Sequence, residues 1–170
     1  MTSPRRDLPI RPLPSPAAAP IVVADLADPR VEALVAEHLA EMEPTAPACS
    51  RHALTLEQFR GPAVRLWVAD DGGPALLGSV ALKDLGDGHV ELKTMRTTPT
   101  ARGTGLGRRL LLHALDAARL AGATRVSLET GAGDVFAPAR ALYRAHGFVD
   151  CEPFGDYRPD RHSTFLTLPL

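Results

Sequence analysis

Cysteine is almost missing from this 170-residue chain: Cys49 and Cys151 stand alone and form no Cys-x-x-Cys pair. That excludes a disulfide framework and a thiolate metal site, and it fits a reducing, cytoplasmic setting. Lysine is as scarce, with Lys83 and Lys93 the only two. An excess of either charge is lacking too. The 19 Lys plus Arg balance 20 Asp plus Glu, so no global field draws the chain to nucleic acid or to an anionic membrane. No apolar run approaches the roughly 18 residues needed to cross a bilayer. Arg5-Arg6 is followed by the proline-broken LPIRPLPSPAAAP, so no export signal is read. His38, His52, His89, His113, His146 and His162 never fall at His-x-x-x-His spacing, and no metal is expected. Two familiar nucleotide loops are absent as well. A Gly-x-Gly-x-x-Gly started at Gly103 fails at Arg108, and no Gly-Lys-Ser/Thr occurs anywhere.

What is present is a 45% hydrophobic chain, long enough for one filled core and too short for two. Residues 1–20 carry six prolines and read as a disordered tail, leaving 21–170 as a single domain. The pattern predicts a short strand over 21–24 and a helix opened by Pro29, with Val31, Leu34, Val35, Leu39 and Met42 at helical spacing. A short helix is expected near 55–60. Strands over 64–69, 75–85 and 90–97, joined by Asp71-Gly72-Gly73-Pro74 and by a Gly86–Gly88 turn, make an antiparallel meander. A helix over 105–121, a buried strand over 125–129, a helix over 137–146 capped by Gly147, and strands over 148–151 and 164–168 complete the chain.

The most informative segment is MRTTPTARGTGLG, from Met95 to Gly107, which runs straight into LLLHALDAARLAG. Arg102, Gly105 and Gly107 set an Arg-x-x-Gly-x-Gly loop between a strand and a helix, so that free backbone N–H groups converge on one spot suited to a pyrophosphate. Glycine is required where a Cβ would hold off the phosphate oxygens or where φ must be positive. An ordinary glycine-rich turn capping a surface helix is the competing reading.

The order of elements, with Arg102-Gly103-Thr104-Gly105-Leu106-Gly107 at the loop and Ala139-Arg140-Ala141-Leu142-Tyr143-Arg144-Ala145-His146-Gly147-Phe148 downstream, resembles the GCN5-related N-acetyltransferases (GNAT superfamily) over roughly residues 21–168. The resemblance implies an α/β (α+β) fold, with a mixed, mostly antiparallel sheet of about six to seven strands flanked by about four helices. It also implies acetyl-CoA as co-substrate and direct acetyl transfer to a primary amine. Gly103, Thr104, Gly105, Leu106, Gly107 and Arg108, with Arg102, would then hold the pyrophosphate, while Met95, Arg96 and Thr97 would run beside the pantetheine arm. Tyr143 would protonate the CoA sulfur, or else simply pack helix against sheet.

Glu91 lies six residues before Thr97, where histone-type members carry a general base. Strand alternation puts Glu91, Lys93, Met95 and Thr97 on one face. The alternative is a cross-strand ion pair, because a three-residue turn sets Lys83 opposite Glu91. Lys93 would bind a substrate carboxylate or neutralise Glu91; Glu129, ending the strand before Tyr143, would face the same cleft as a substrate-binding residue or second base, or else cap a helix. The loop from Pro153 to Ser163, with Phe154 and Tyr157, would line the acceptor pocket or else be a solvated hairpin loop. Phe136 stands where many relatives carry an asparagine against the cofactor. The acceptor implied is a small, amino-acid-like metabolite, with a protein or peptide amine, or a non-catalytic acyl-CoA sensor, as the other readings. A monomer or a homodimer is expected.

Overall fold

A computed structural model describes residues 16–45, 47, 50 and 52–170. The tail up to residue 15 and Cys49 lie outside the described residues. Seven strands form one sheet: β1 (Ile21–Val23), β2 (Val64–Ala69), β3 (Gly78–Asp84), β4 (His89–Thr97), β5 (Arg125–Gly131), β6 (Val149–Asp150) and β7 (Ser163–Pro169). Their spatial order is β1-β2-β3-β4-β5-β7-β6, and every pairing is antiparallel except β4 with β5. Among the described residues the α-helices are α1 (Pro29–Met42), α2 (Leu106–Leu120) and α3 (Ala137–Ala145). The short helix expected near 55–60 is a 3-10 turn over Glu57–Arg60. No helix among the described residues is long and apolar enough to cross a membrane.

The helices cover both faces of the sheet because each carries one apolar stripe. On α1, Val31, Leu34 and Val35 meet Leu66, Val68 and Ala81 on one face. On α2, Leu106, Leu110, Leu111 and Leu115 meet Val80, Leu82, Leu92 and Val126 on the other. Asp28 caps α1, accepting from the Arg30 N–H at 2.8 Å, with Pro29 in the first turn. Residues 16–20, expected with the tail, belong to the domain: Ala19 is fully buried in the α2-side core, and the Asp70 N–H donates to Pro20 O at 3.0 Å. Strand β3 starts at Gly78 rather than at 75. The preceding turn is held by Arg30, whose Nη1 donates to Asp70 Oδ1 and to Gly73 O, both at 3.1 Å.

Two features of β4 open the site. Its parallel pairing with β5 stops at Glu91↔Ser127, so the strands diverge beyond that point. The register with β3 also slips, from Ala81↔Lys93 to Ser79↔Arg96, with Thr94 at a φ of 50°. This bulge corrects the expected alternation. Glu91, Lys93 and Arg96 face α1, whereas Met95 and Thr97 turn to the α2 side, where both flank Gly107. An extra residue in one strand shifts every later side chain by one face, and composition does not reveal where it falls.

Candidate active site

The glycine loop adopts the geometry its composition requires. Gly103 and Gly105 have φ of 74° and 87°, and a Cβ at either would project into open space, not against the protein. Among the described residues no carbonyl accepts the N–H groups of Gly103 to Arg108, which leaves a run of donors at the start of α2. Thr104 Oγ1 turns back to donate to Ala101 O at 2.7 Å, and the Leu106 side chain is fully buried, so these two can offer an anion only their backbone. The arrangement fits a pyrophosphate: donors without acceptors, positive charge from the helix end, and no side chain in the way.

This loop forms one wall of a cleft of about 1130 Å³ between the diverging strands. Arg102, Gly103, Gly105, Gly107 and Arg108 line it, as do Met95, Arg96 and Thr97 on β4. Tyr143 and Glu129 face the same cleft from α3 and β5. Tyr143 also packs on Phe148, with ring centroids 5.8 Å apart, so its expected structural and chemical positions coincide. Burial, and then the nearby Glu129 carboxylate, hold its phenol above the usual tyrosine range. Burial likewise raises Glu129, partly offset by the Ser163 hydroxyl and then by the His52 and Lys93 charges.

Glu91 is elsewhere. It is 3% exposed and lines a smaller neighbouring pocket rather than the cleft. Its Oε1 accepts from Lys93 Nζ at 3.0 Å and from Tyr157 OH at 2.5 Å, and Lys93 Nζ also donates to Tyr157 OH at 2.8 Å. The expected register is present, with Lys83 opposite Glu91, yet the ion pair forms with Lys93 on the same strand. Burial and the Glu91 charge push the Tyr157 phenol far above its ordinary value. Tyr157 and Phe154 line the smaller pocket and stack against each other and on Phe165, which ties the Pro153–Ser163 loop to the sheet. Lys93 and His52 border both spaces.

Several lining residues escaped the sequence reading. Glu37 and Glu41 on α1 grip Arg96, whose Nη2 lies 3.0 Å from Glu37 and 2.9 Å from Glu41. Glu41 also reaches Arg102 at 3.5 Å, which links α1 to the phosphate loop. Acidic residues four apart on α1 show in the sequence, but nothing there names their partner on β4. His38, beside them, is held neutral by burial and then by the Arg96 charge, at a pKa of about 4. Phe136 does line the cleft, and Gly131 is its counterpart: a Cβ there would collide with the Phe136 ring. Arg140 Nη1 fastens this corner by donating to Gly131 O at 2.6 Å and to Gly133 O at 2.8 Å. Among the described residues no three His, Cys, Asp or Glu side chains gather to hold a metal ion.

Comparison with known proteins agrees with this geometry. Over 146 residues, 86% of this chain and 91% of the relative, the sequence is 46% identical to the N-acetyltransferase YedL of Escherichia coli K12. It is 44% identical over 126 residues to the IAA acetyltransferase of Azospirillum brasilense, covering 73% of this chain and 80% of that one. The fold matches an acetyltransferase crystal structure from Streptococcus agalactiae with a TM-score of 0.71 at 23% identity, over 89% of this chain and 98% of the other. The acetyltransferase (GNAT) family profile matches residues 31–148. With the phosphate loop, the diverging strands and this match in register, the chain belongs to the GNAT acetyltransferase family and is an acetyl-CoA-dependent enzyme.

Proposed function

We propose that the protein acetylates the primary amine of a small, amino-acid-like metabolite, with Glu129 taking the amine proton and Tyr143 donating one to the departing sulfur. The observation that carries this reading is that the Glu129 carboxylate and the Tyr143 phenol face the same cleft as the glycine loop, while the other carboxylate lining it, Glu41, is held by Arg96. When bound, acetyl-CoA supplies an acyl group activated as a thioester. Met95, Thr97 and the loop amides would hold it, with Phe136 as an apolar wall.

The chain's own residues supply the proton traffic. A carboxylate raised by burial is a stronger base than an exposed one, so Glu129 is suited to keep the attacking amine neutral. Tyr143 stays protonated at neutral pH because burial disfavours the phenolate, and it can donate without carrying charge itself. The Glu91 carboxylate, already accepting two hydrogen bonds through one oxygen, serves better to fix Lys93 and Tyr157 than to exchange protons.

A small acceptor fits the covered end of the cleft. Tyr157 ties the Pro153–Ser163 loop to β4, its ring meets His52 at 4.8 Å, and Arg161 and His162 of the same loop border the cleft. The test is CoA release from acetyl-CoA with the twenty free amino acids, polyamines, a peptide N-terminus and a lysine-bearing peptide. Turnover with free amino acids is expected. Modification of the peptides alone would replace this reading with a protein acetyltransferase, and acetyl-CoA binding without turnover of any amine would replace it with a sensor.

A further inference from the structure

Among the described residues of the smaller pocket, Lys83 is the lysine left without a partner. Antiparallel pairing sets it directly opposite Glu91, the partner that cross-strand geometry would give it. That carboxylate is already taken by Lys93 and Tyr157, and Lys83 forms no ion pair or hydrogen bond among the described residues. Its side chain lines the smaller pocket of about 310 Å³, together with Glu91, Lys93, Phe154, Asp156 and Tyr157. A space of that size suits part of a small ligand. It adjoins the catalytic cleft, since Lys93 and His52 border both, but neither Tyr143 nor Glu129 lines it. Whatever enters the pocket is therefore a portion of the acceptor away from the reacting amine.

The charges decide what that portion is. Glu91 and Lys93 cancel each other within a buried pair, 4% and 9% exposed at their side chains. Asp156, the other carboxylate here, is exposed, so water screens it more strongly than the half-buried Lys83. Of the two charges outside that pair, the Lys83 ammonium is the part-buried one, so it dominates inside the pocket, beside aromatic walls. We propose that this pocket takes a carboxylate carried by the acceptor, with Lys83 as its counter-charge, so that the preferred substrates are amines that also bear a carboxylate. This rests on the small-metabolite reading above and narrows it.

Because the chain has two lysines, labelling lysine with ¹³C at Cε yields two side-chain signals, and Lys83→Arg identifies one by removing it. N-acetylglycine, which has a carboxylate and no reactive amine, is titrated against its neutral amide, N-acetylglycinamide. The Lys83 signal is expected to move saturably with the acid and to stay still with the amide. An unmoved Lys83 signal, equal shifts with both compounds, or movement of the Lys93 signal alone would overturn the proposal. This readout needs no turnover, so it stays decisive even if no free amino acid is acetylated. Kinetically, Lys83→Gln should raise KM roughly five-fold for lysine as acceptor, with kcat and acetyl-CoA affinity kept and with Lys83→Arg restoring the parent value. Cadaverine, the same diamine without the carboxylate, should be indifferent to the change; an equal effect on both acceptors would count against the proposal.

Discussion

The two ends of the cleft are built by different means. The donor end is built from backbone: Gly103 and Gly105 hold positive φ, and the amides up to Arg108 have no carbonyl acceptor among the described residues. The acceptor end is built from side chains brought from β3, β4, β5, α1 and the Pro153–Ser163 loop, and those from β4, α1 and the loop hold one another. A backbone site depends on local conformation and tolerates change at any residue that is not glycine. A side-chain site depends on pairings across the fold, so altering one member leaves a buried partner exposed to its full desolvation cost.

The largest effect should come from breaking the donor end. Gly105→Glu places a carboxylate where the pyrophosphate must sit and forces a side chain into left-handed backbone. Acetyl-CoA affinity should fall about a hundredfold or more by calorimetry, with the thermal midpoint changed far less. Retained affinity would mean that the loop is an ordinary helix cap.

Next in size are the two groups proposed to carry protons between the two ends. Glu129→Gln should lower kcat on the order of a hundredfold and erase the acidic limb of the pH profile, which lies above the ordinary carboxylate range because burial raises this group. Tyr143→Phe should cost a similar factor, and both variants should bind acetyl-CoA like the parent. If Glu91→Gln instead of Glu129→Gln removed that limb, the base would be Glu91.

The smallest effect sharpens the contrast through stability. His38 belongs to the acceptor wall, and its pKa is depressed to about 4 in the folded protein. The unfolded chain binds a proton near pH 6.5, where the folded one refuses it. The stability that neutral His38 contributes is thus complete above about pH 6.5 and lost as pH falls toward 4, on the order of 3 kcal/mol in all. Urea unfolding of His38→Gln should show a flatter pH dependence across that window than the parent, and parallel curves would assign the acid sensitivity to other groups.

Much of the fold was legible along the chain. Proline at the start of α1, glycine turns between strands and apolar spacing on α2 led to elements close to those observed, because each signal is local. The backbone geometry of the glycine loop was legible for the same reason, since Gly103 and Gly105 are there to take positive φ. The register of β3 against β4 was legible from turn length, and Lys83 does stand opposite Glu91. The ion pair inferred from that register was not, because the choice among Lys83, Lys93 and Tyr157 as partners for one carboxylate depends on a loop more than sixty residues away. The bulge at Thr94 was equally invisible, and it alone moved Met95 and Thr97 off the face shared by Glu91 and Lys93.

Residue order alone thus settled the succession of strands and helices and the open glycine loop before α2, for both follow from backbone conformations set by near neighbours. Which carboxylate faces the cleft, which is locked away, and which lysine is left without a partner were decided only when distant segments met. Burial and competition among charges have no value until every neighbour is in place.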